Sequence, residues 1–192
     1  MFGIPLGGSE SSSLTIAWCV VLLVSTAGAI WDVRTGRIPN ALTMPVFLAG
    51  LIWSAYAGGA TGFVGSLGGA MLLALPCLFL FLFAGGGAGD VKLLGALGAW
   101  LSFHDAVVVL VCVAAAGVVC GIVTTLVRRR SAMLLTNLSR MVGSFSFAFA
   151  SRRARDAAVL MPAEEQMQPM PYGIAIALGV WVAAGGRWLW GW

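Results

Sequence analysis

Hydrophobic residues occupy six long blocks of this chain, approximately 14–31, 41–57, 62–84, 91–103, 105–127 and 171–190, separated by polar, basic or glycine-rich breaks. A bilayer core of roughly 30 Å is crossed by about 20 apolar residues, so the pattern predicts membrane helices. The fourth block is short. At about 1.5 Å per residue it covers only about 20 Å, so either it does not cross fully or the preceding segment 85–89 lies at membrane depth. Non-helical backbone at that depth must be buried in protein or line a wet cavity, which marks the stretch as a candidate site. The first block ends in the small residues "STAGA", yet no Lys or Arg precedes it, so it reads as a retained helix and not a secretory signal.

Composition settles the class. With 60% hydrophobic and 9% charged residues and a mean hydropathy of +0.97, the chain lies outside the range of water-soluble domains. Its 192 residues leave no room for a large soluble domain. The expectation is one all-α, polytopic membrane domain over residues 1–192, with about six transmembrane helices.

The cations orient it. Arg34 and Arg37 follow the first block, Lys92 begins the fourth, and Arg128, Arg129, Arg130, Arg140, Arg152, Arg153 and Arg155 follow the fifth. An external N-terminus puts all ten of these on the cytoplasmic side and leaves only Arg187 outside, as the positive-inside rule requires. The loop "AGGATG" and the His104–Asp105 turn are then external. Asp32, ending the first block, and Asp90, opening the fourth, both arrive at the cytoplasmic face and could meet. Intramembrane carboxylates are functional by default, although each Asp alone could also be a solvated helix end paired with Arg34 or Lys92.

Gly87 and Gly89 flank Ala88 just before Asp90 and permit close backbone approaches there. The resulting "GAGD" matches the G-x-G-D motif of intramembrane aspartyl proteases. Around the other Asp, "WDVRTGRIPNALT" resembles the first catalytic segment of type IV prepilin peptidases, with Ile38, Pro39 and Asn40 opening the second helix. "GAGDVKLLGALGAW" resembles that family too, including Lys92, and "PMPYGIAIALG" is similar to the start of its last helix. The resemblance runs in order over roughly residues 15–185. It implies a peptidase that removes the short basic leader of prepilins or pilin-like proteins at the cytoplasmic face of the bacterial inner membrane. Larger members carry a Cys-x-x-Cys zinc domain and also methylate the new N-terminus. Here Cys19, Cys77, Cys112 and Cys120 all lie in apolar blocks and form no such pair. The chain therefore resembles the short, peptidase-only branch associated with Flp (tight-adherence) pili, with no methyltransferase activity expected.

The chemistry also follows from the residues. Hydrolysis by two carboxylates needs one as base on water and one as acid to the carbonyl or leaving amine, the pair sharing a proton because close like charges do not both ionise easily. His104 is the sole histidine and sits on the opposite face, which disfavours a Ser-His-Asp set or a His-based metal site. No cofactor, metal or nucleic-acid partner is expected. Helix dipoles suggest Asp90 as base, near the positive end of its helix, and Asp32 as acid, at a negative end. Gly87, Gly89, Lys92, Arg37, Pro39 and Asn40 are candidates for substrate binding or support of the pair, with lipid contact open for Lys92 and topology for Arg37. A proton relay in a transporter could use the same two Asp, and a non-catalytic assembly subunit would need neither; no internal repeat supports a two-halved carrier.

The remaining features read as architecture. Gly65/Gly69, Gly117/Gly121 and Gly95/Ala99 have the spacing that lets membrane helices pack closely. Residues 131–149 suggest an amphipathic helix on the anionic leaflet, within a basic cytoplasmic segment at about 128–165. Glu164 and Glu165 could attract a basic leader, solvated loop charges being the plainer reading. Asp105, at the far end, is expected to tolerate exchange to Asn.

Overall fold

In hydrocarbon a chain must satisfy its own backbone polar groups, which leaves helices as the form open to apolar blocks of this length. The computed structural model describes residues 8–84, 87–127 and 172–190, and shows helices and no strands among them. They are α1 (Gly8–Thr35), α2 (Asn40–Ala84), α3 (Ala88–Gly98), α4 (Phe103–Val127) and α5 (Tyr172–Trp190). Four stretches are long and apolar enough to cross a membrane: Ser12–Thr35, Asn40–Leu82, Phe103–Thr124 and Tyr172–Leu189. The described residues are thus all helical outside the turns, those of a multi-pass membrane protein. The segment 128–165, the stretch 131–149 and Glu164 and Glu165 lie outside the described residues.

The second and third blocks both fall in α2, which is broken at Gly59, where φ is 58° and ψ is −145°. That backbone region is open to glycine and closed to most side chains. The chain doubles back there, since a Cβ on Gly62 would run into the Ser54 carbonyl. Asn40–Ala84 is consequently a hairpin of two apolar arms.

The fourth block differs from its expected bounds of 91–103. Helix α3 begins three residues earlier, at Ala88, and stops at Gly98. Its 11 residues span about 16 Å, too little to cross a bilayer without the turns on either side. It is instead the central element, with Leu93, Leu94, Gly95, Ala96, Leu97 and Gly98 all buried. Val21 of α1, Leu73 of α2, Val109 of α4 and Val180 of α5 join it in one apolar core. Backbones touch where α2 crosses α3: a Cβ on Gly98 would lie 2.5 Å from the Gly69 carbonyl oxygen and 2.7 Å from Ala70 Cα. Of the glycines expected to pack helices, Gly69 does so and Gly95 approaches Ala74 Cβ at 3.6 Å, whereas a Cβ on Gly65, Gly117 or Gly121 would meet nothing within 4 Å. Gly98 and Gly179, the latter against Val113, are the close approaches that four-residue spacing does not reveal.

Helix α3 ends inside the bundle, where water is not available to its last carbonyls. Ser54 and Ser66, one from each arm of α2, both donate to the Ala99 carbonyl, Ser54 at 3.3 Å. Trp100 donates from Nε1 to the Val46 carbonyl at 2.8 Å and stacks on Trp53. It fits because Gly50 has no side chain; a Cβ there would lie 2.8 Å from the indole. The chain then re-enters through an N-cap, in which Ser102 Oγ accepts from the Asp105 N–H at 3.2 Å and donates to Asp105 Oδ2 at 2.9 Å.

Asp105 is 3% exposed, and its other oxygen accepts from Arg187 Nη1 at 2.6 Å. The Arg187 guanidinium also sits 5.8 Å from the Trp18 ring centroid. The one cation that the charge pattern left on the far side has a buried partner there, so Asp105 is a structural lock and not a neutral position. Removing one partner leaves a bare charge in a dry setting. Arg187→Ala should lower stability by on the order of 3 kcal/mol in detergent thermal unfolding, and the double variant Asp105→Asn/Arg187→Gln should recover part of the loss.

Candidate active site

The end of the bundle opposite the Arg187–Asp105 pair is built by three tight junctions. Helix α1 stops because Gly36, at φ 63°, takes the left-handed conformation and its N–H donates to the Asp32 carbonyl at 2.7 Å. The Thr35 hydroxyl ties the turn, donating to the Arg37 carbonyl at 2.8 Å. Helix α2 then starts at once: Pro39, which needs no N–H of its own, offers its carbonyl to Leu42 and Thr43. This short connection sets Asp32 one turn from the end of α1, beside the first turn of α2.

Asp90 is placed by the two glycines before it, each for a separate reason. Its carboxylate folds back over Gly87, where a Cβ would lie 2.7 Å from Oδ2, while its N–H donates to the Gly87 carbonyl at 3.2 Å. Gly89 instead admits the buried Ile38, whose Cβ would be 3.2 Å from a Cβ at 89. The "RIPN" and "GAGD" segments therefore interlock through Ile38 and Gly89. Lys92 completes the junction by donating from Nζ to Asn40 Oδ1 at 2.9 Å. As two-residue spacing on a helix requires, it turns away from Asp90. Arg37 enters through its backbone, and its side chain is exposed.

Asp32 and Asp90 are both half-buried and electrostatically coupled. Asp90 lies outside the four membrane-length stretches. Burial first, and the Asp32 charge second, push its carboxyl up from 3.8 to about 6. Asp32 Oδ2 accepts a hydrogen bond from the Gly173 N–H, at the start of α5, at 2.9 Å. Cys77 of α2 and Tyr172 of α5 lie within reach of the Asp90 charge. Cys77 carries no sequence motif of its own, and Tyr172 and Gly173 fall in the quoted "PMPYGIAIALG" without having been singled out. For Gly173 a signal existed in its place at the head of the last helix, two residues after the second proline of "PMPYG". Among the described residues no group of three or more His, Cys, Asp or Glu side chains forms a metal-binding cluster. The arrangement places two carboxylates within electrostatic reach of one another at the edge of an apolar bundle.

Comparison with known proteins bears on the same residues. The model of the type IV leader peptidase family matches residues 19–123, which include both Asp32 and Asp90. A prepilin leader peptidase/N-methyltransferase of Burkholderia pseudomallei is 35% identical over 125 residues, covering 62% of this chain and 40% of that protein. The protein of the same description from Aeromonas hydrophila is 26% identical over 191 residues, covering 96% and 51%. That from Escherichia coli K12 is 29% identical over 138 residues, covering 66% and 57%. The chain thus spans about half the length of these curated relatives. No solved structure matches it.

The raised Asp90 carboxyl has a consequence for stability. Its protonated form is favoured by folding, so that contribution is complete below about pH 3.8 and is lost as pH rises through about 6. Relative to Asp90→Asn, the wild type should lose up to about 3 kcal/mol across that window. Detergent thermal melts of both proteins over the range measure the difference.

Proposed function

The chain belongs to the type IV leader peptidase family, and from that premise we propose that it is an intramembrane aspartyl endopeptidase that removes the basic leader of prepilins or pilin-like proteins. Asp32 and Asp90 form the catalytic pair, and Gly87, Gly89, Ile38, Pro39, Asn40 and Lys92 hold it in place. One observation supports the reading: two carboxylates from separate helices, α1 and α3, lie at one end of an apolar bundle within electrostatic reach, where burial first and the Asp32 charge second raise the proton affinity of Asp90. A pair that shares a proton is what acid–base hydrolysis of a peptide needs.

The placement in the membrane belongs to the same proposal. Six crossings, counting the two arms of α2 separately and α3 with its flanking turns, leave the N-terminus external and the pair at the cytoplasmic face of the inner membrane. Arg34, Arg37 and Lys92 at the Asp32–Asp90 end, against Arg187 at the other, support that orientation. The segment 128–165 is then cytoplasmic, in a single peptidase domain. A basic leader joined to an apolar helix would present its cleavage site at this boundary. The peptidase-only, tight-adherence reading without methyl transfer is part of the same proposal, Cys19, Cys77, Cys112 and Cys120 all lying in apolar blocks.

Asp32→Asn and Asp90→Asn keep side-chain size and remove proton exchange. Each should lower leader cleavage by about 10³-fold or more, read from the mature N-terminus of a co-expressed prepilin, and the double variant should be scarcely worse than either alone. Full maturation by either single variant would favour a proton relay or an assembly role. Tags in the 57–62 loop should report the periplasm and tags near 36 the cytoplasm; a cytoplasmic 57–62 loop would overturn the orientation.

A further inference from the structure

We propose that the backbone N–H of Gly173 assigns the two carboxylates their separate roles, holding Asp32 as the ionised base that activates water and leaving the shared proton on Asp90 as the acid. This rests on the aspartyl peptidase reading above. It concerns a residue outside the stretch matched by the family model.

Three observations converge on it. The Gly173 N–H donates to Asp32 Oδ2 at 2.9 Å, and a donor aimed at a carboxylate favours its charged form. That N–H belongs to the first turn of α5, the positive end of a 19-residue helix. The fit also depends on glycine: a Cβ at 173 would lie 2.8 Å from Asp32 Cβ, 2.9 Å from Oδ2 and 3.2 Å from Ala29 Cα. Helix α5 therefore presses its N-terminus directly onto the Asp32 carboxylate. Asp90 has no such donor among the described residues. From the packed elements it faces Asp32 of α1, Cys77 of α2 and Tyr172 of α5, none of them a cation. Lys92, on its own helix, is engaged by Asn40. Burial raises the Asp90 carboxyl accordingly.

The assignment reverses the one that the dipoles of α1 and α3 suggest alone. The reversal rests on a direct hydrogen bond to Asp32 at 2.9 Å and on the burial of Asp90, which raises its carboxyl.

The steps then balance. The Asp32 carboxylate takes a proton from water as the water oxygen bonds to the scissile carbonyl carbon. The carbonyl π electrons move to its oxygen, which takes the Asp90 proton and gives a gem-diol. Asp32 next passes its proton to the amide nitrogen, the C–N bond breaks, and Asp90 recovers a proton from one hydroxyl. Acid and amine products leave, and the pair is back in its starting state.

Two measurements test this. Infrared spectra in detergent at about pH 5 should show a protonated-carboxyl band that persists in Asp32→Asn and disappears in Asp90→Asn. The opposite pattern would overturn the assignment, whether or not the chain cleaves prepilin. Replacing Gly173 by glycolic acid through nonsense suppression deletes the N–H and adds no bulk. The acidic limb of the kcat/KM profile should then move up by about one pH unit, with kcat falling and KM little changed. An unmoved acidic limb would mean that Gly173 only packs against α1. Loss of the peptidase reading would show separately, as normal cleavage by the Asp32→Asn and Asp90→Asn variants.

Discussion

A helix that stops within a membrane bundle has to give its last carbonyls to something other than water, and the short central helix does so through two serines. Ser54 and Ser66 reach the Ala99 carbonyl from the two arms of one hairpin. That hairpin exists because Gly59 reverses the chain. Each requirement depends on the other: without the reversal no second serine arrives, and without the serines α3 would have to extend until it met solvent. Because α3 ends early, its opposite end falls at a level set by the core, and Asp90 with it. The position of the carboxylate thus derives from hydrogen bonding at the other end of an 11-residue helix.

The polar site is assembled from apolar fits. Ile38 against Gly89, Leu93 against Gly28 and the Gly98–Gly69 contact bring α1, α2 and α3 close enough for their ends to share one surface. The glycines of "GAGD" have different duties, one making room for the carboxylate and one for Ile38. A side chain at 87 would displace the acid, whereas one at 89 would push the first turn of α2 away. Burial among these contacts is also what raises the proton affinity of Asp90. Packing and proton chemistry are in this sense the same feature.

Much of this was readable from residues in order, and the exceptions share a physical cause. The apolar blocks, the singling out of Asp32 and Asp90 and the interest of Lys92 and Asn40 follow from hydropathy, charge and motif, all of which are local in the chain. The bounds of α3 did not follow, because "LGAW" is as apolar as a helix and only Ser54 and Ser66, far away in sequence, supply the reason to stop. Asp105 looked like an ordinary turn residue since its partner Arg187 is 82 positions distant. The contact of Gly173 with Asp32 spans 141 positions. Helix dipoles could be assigned from sequence, but a hydrogen bond from another helix could not.

Helix α5 is fastened at both ends, by Gly173 on the Asp32 carboxylate and by Arg187 on Asp105. These anchors lie fourteen residues apart along the helix, about 21 Å at the rise of an α-helix. The helix consequently acts as a gauge rod of fixed length between the two faces of the bundle. A slip of one residue, about 1.5 Å, would pull the N–H off the carboxylate and the guanidinium off its partner together. A buried charge pair at the far end of the bundle thereby sets the axial register of the group that touches Asp32, so the dimension of the site is held from the opposite end of the protein.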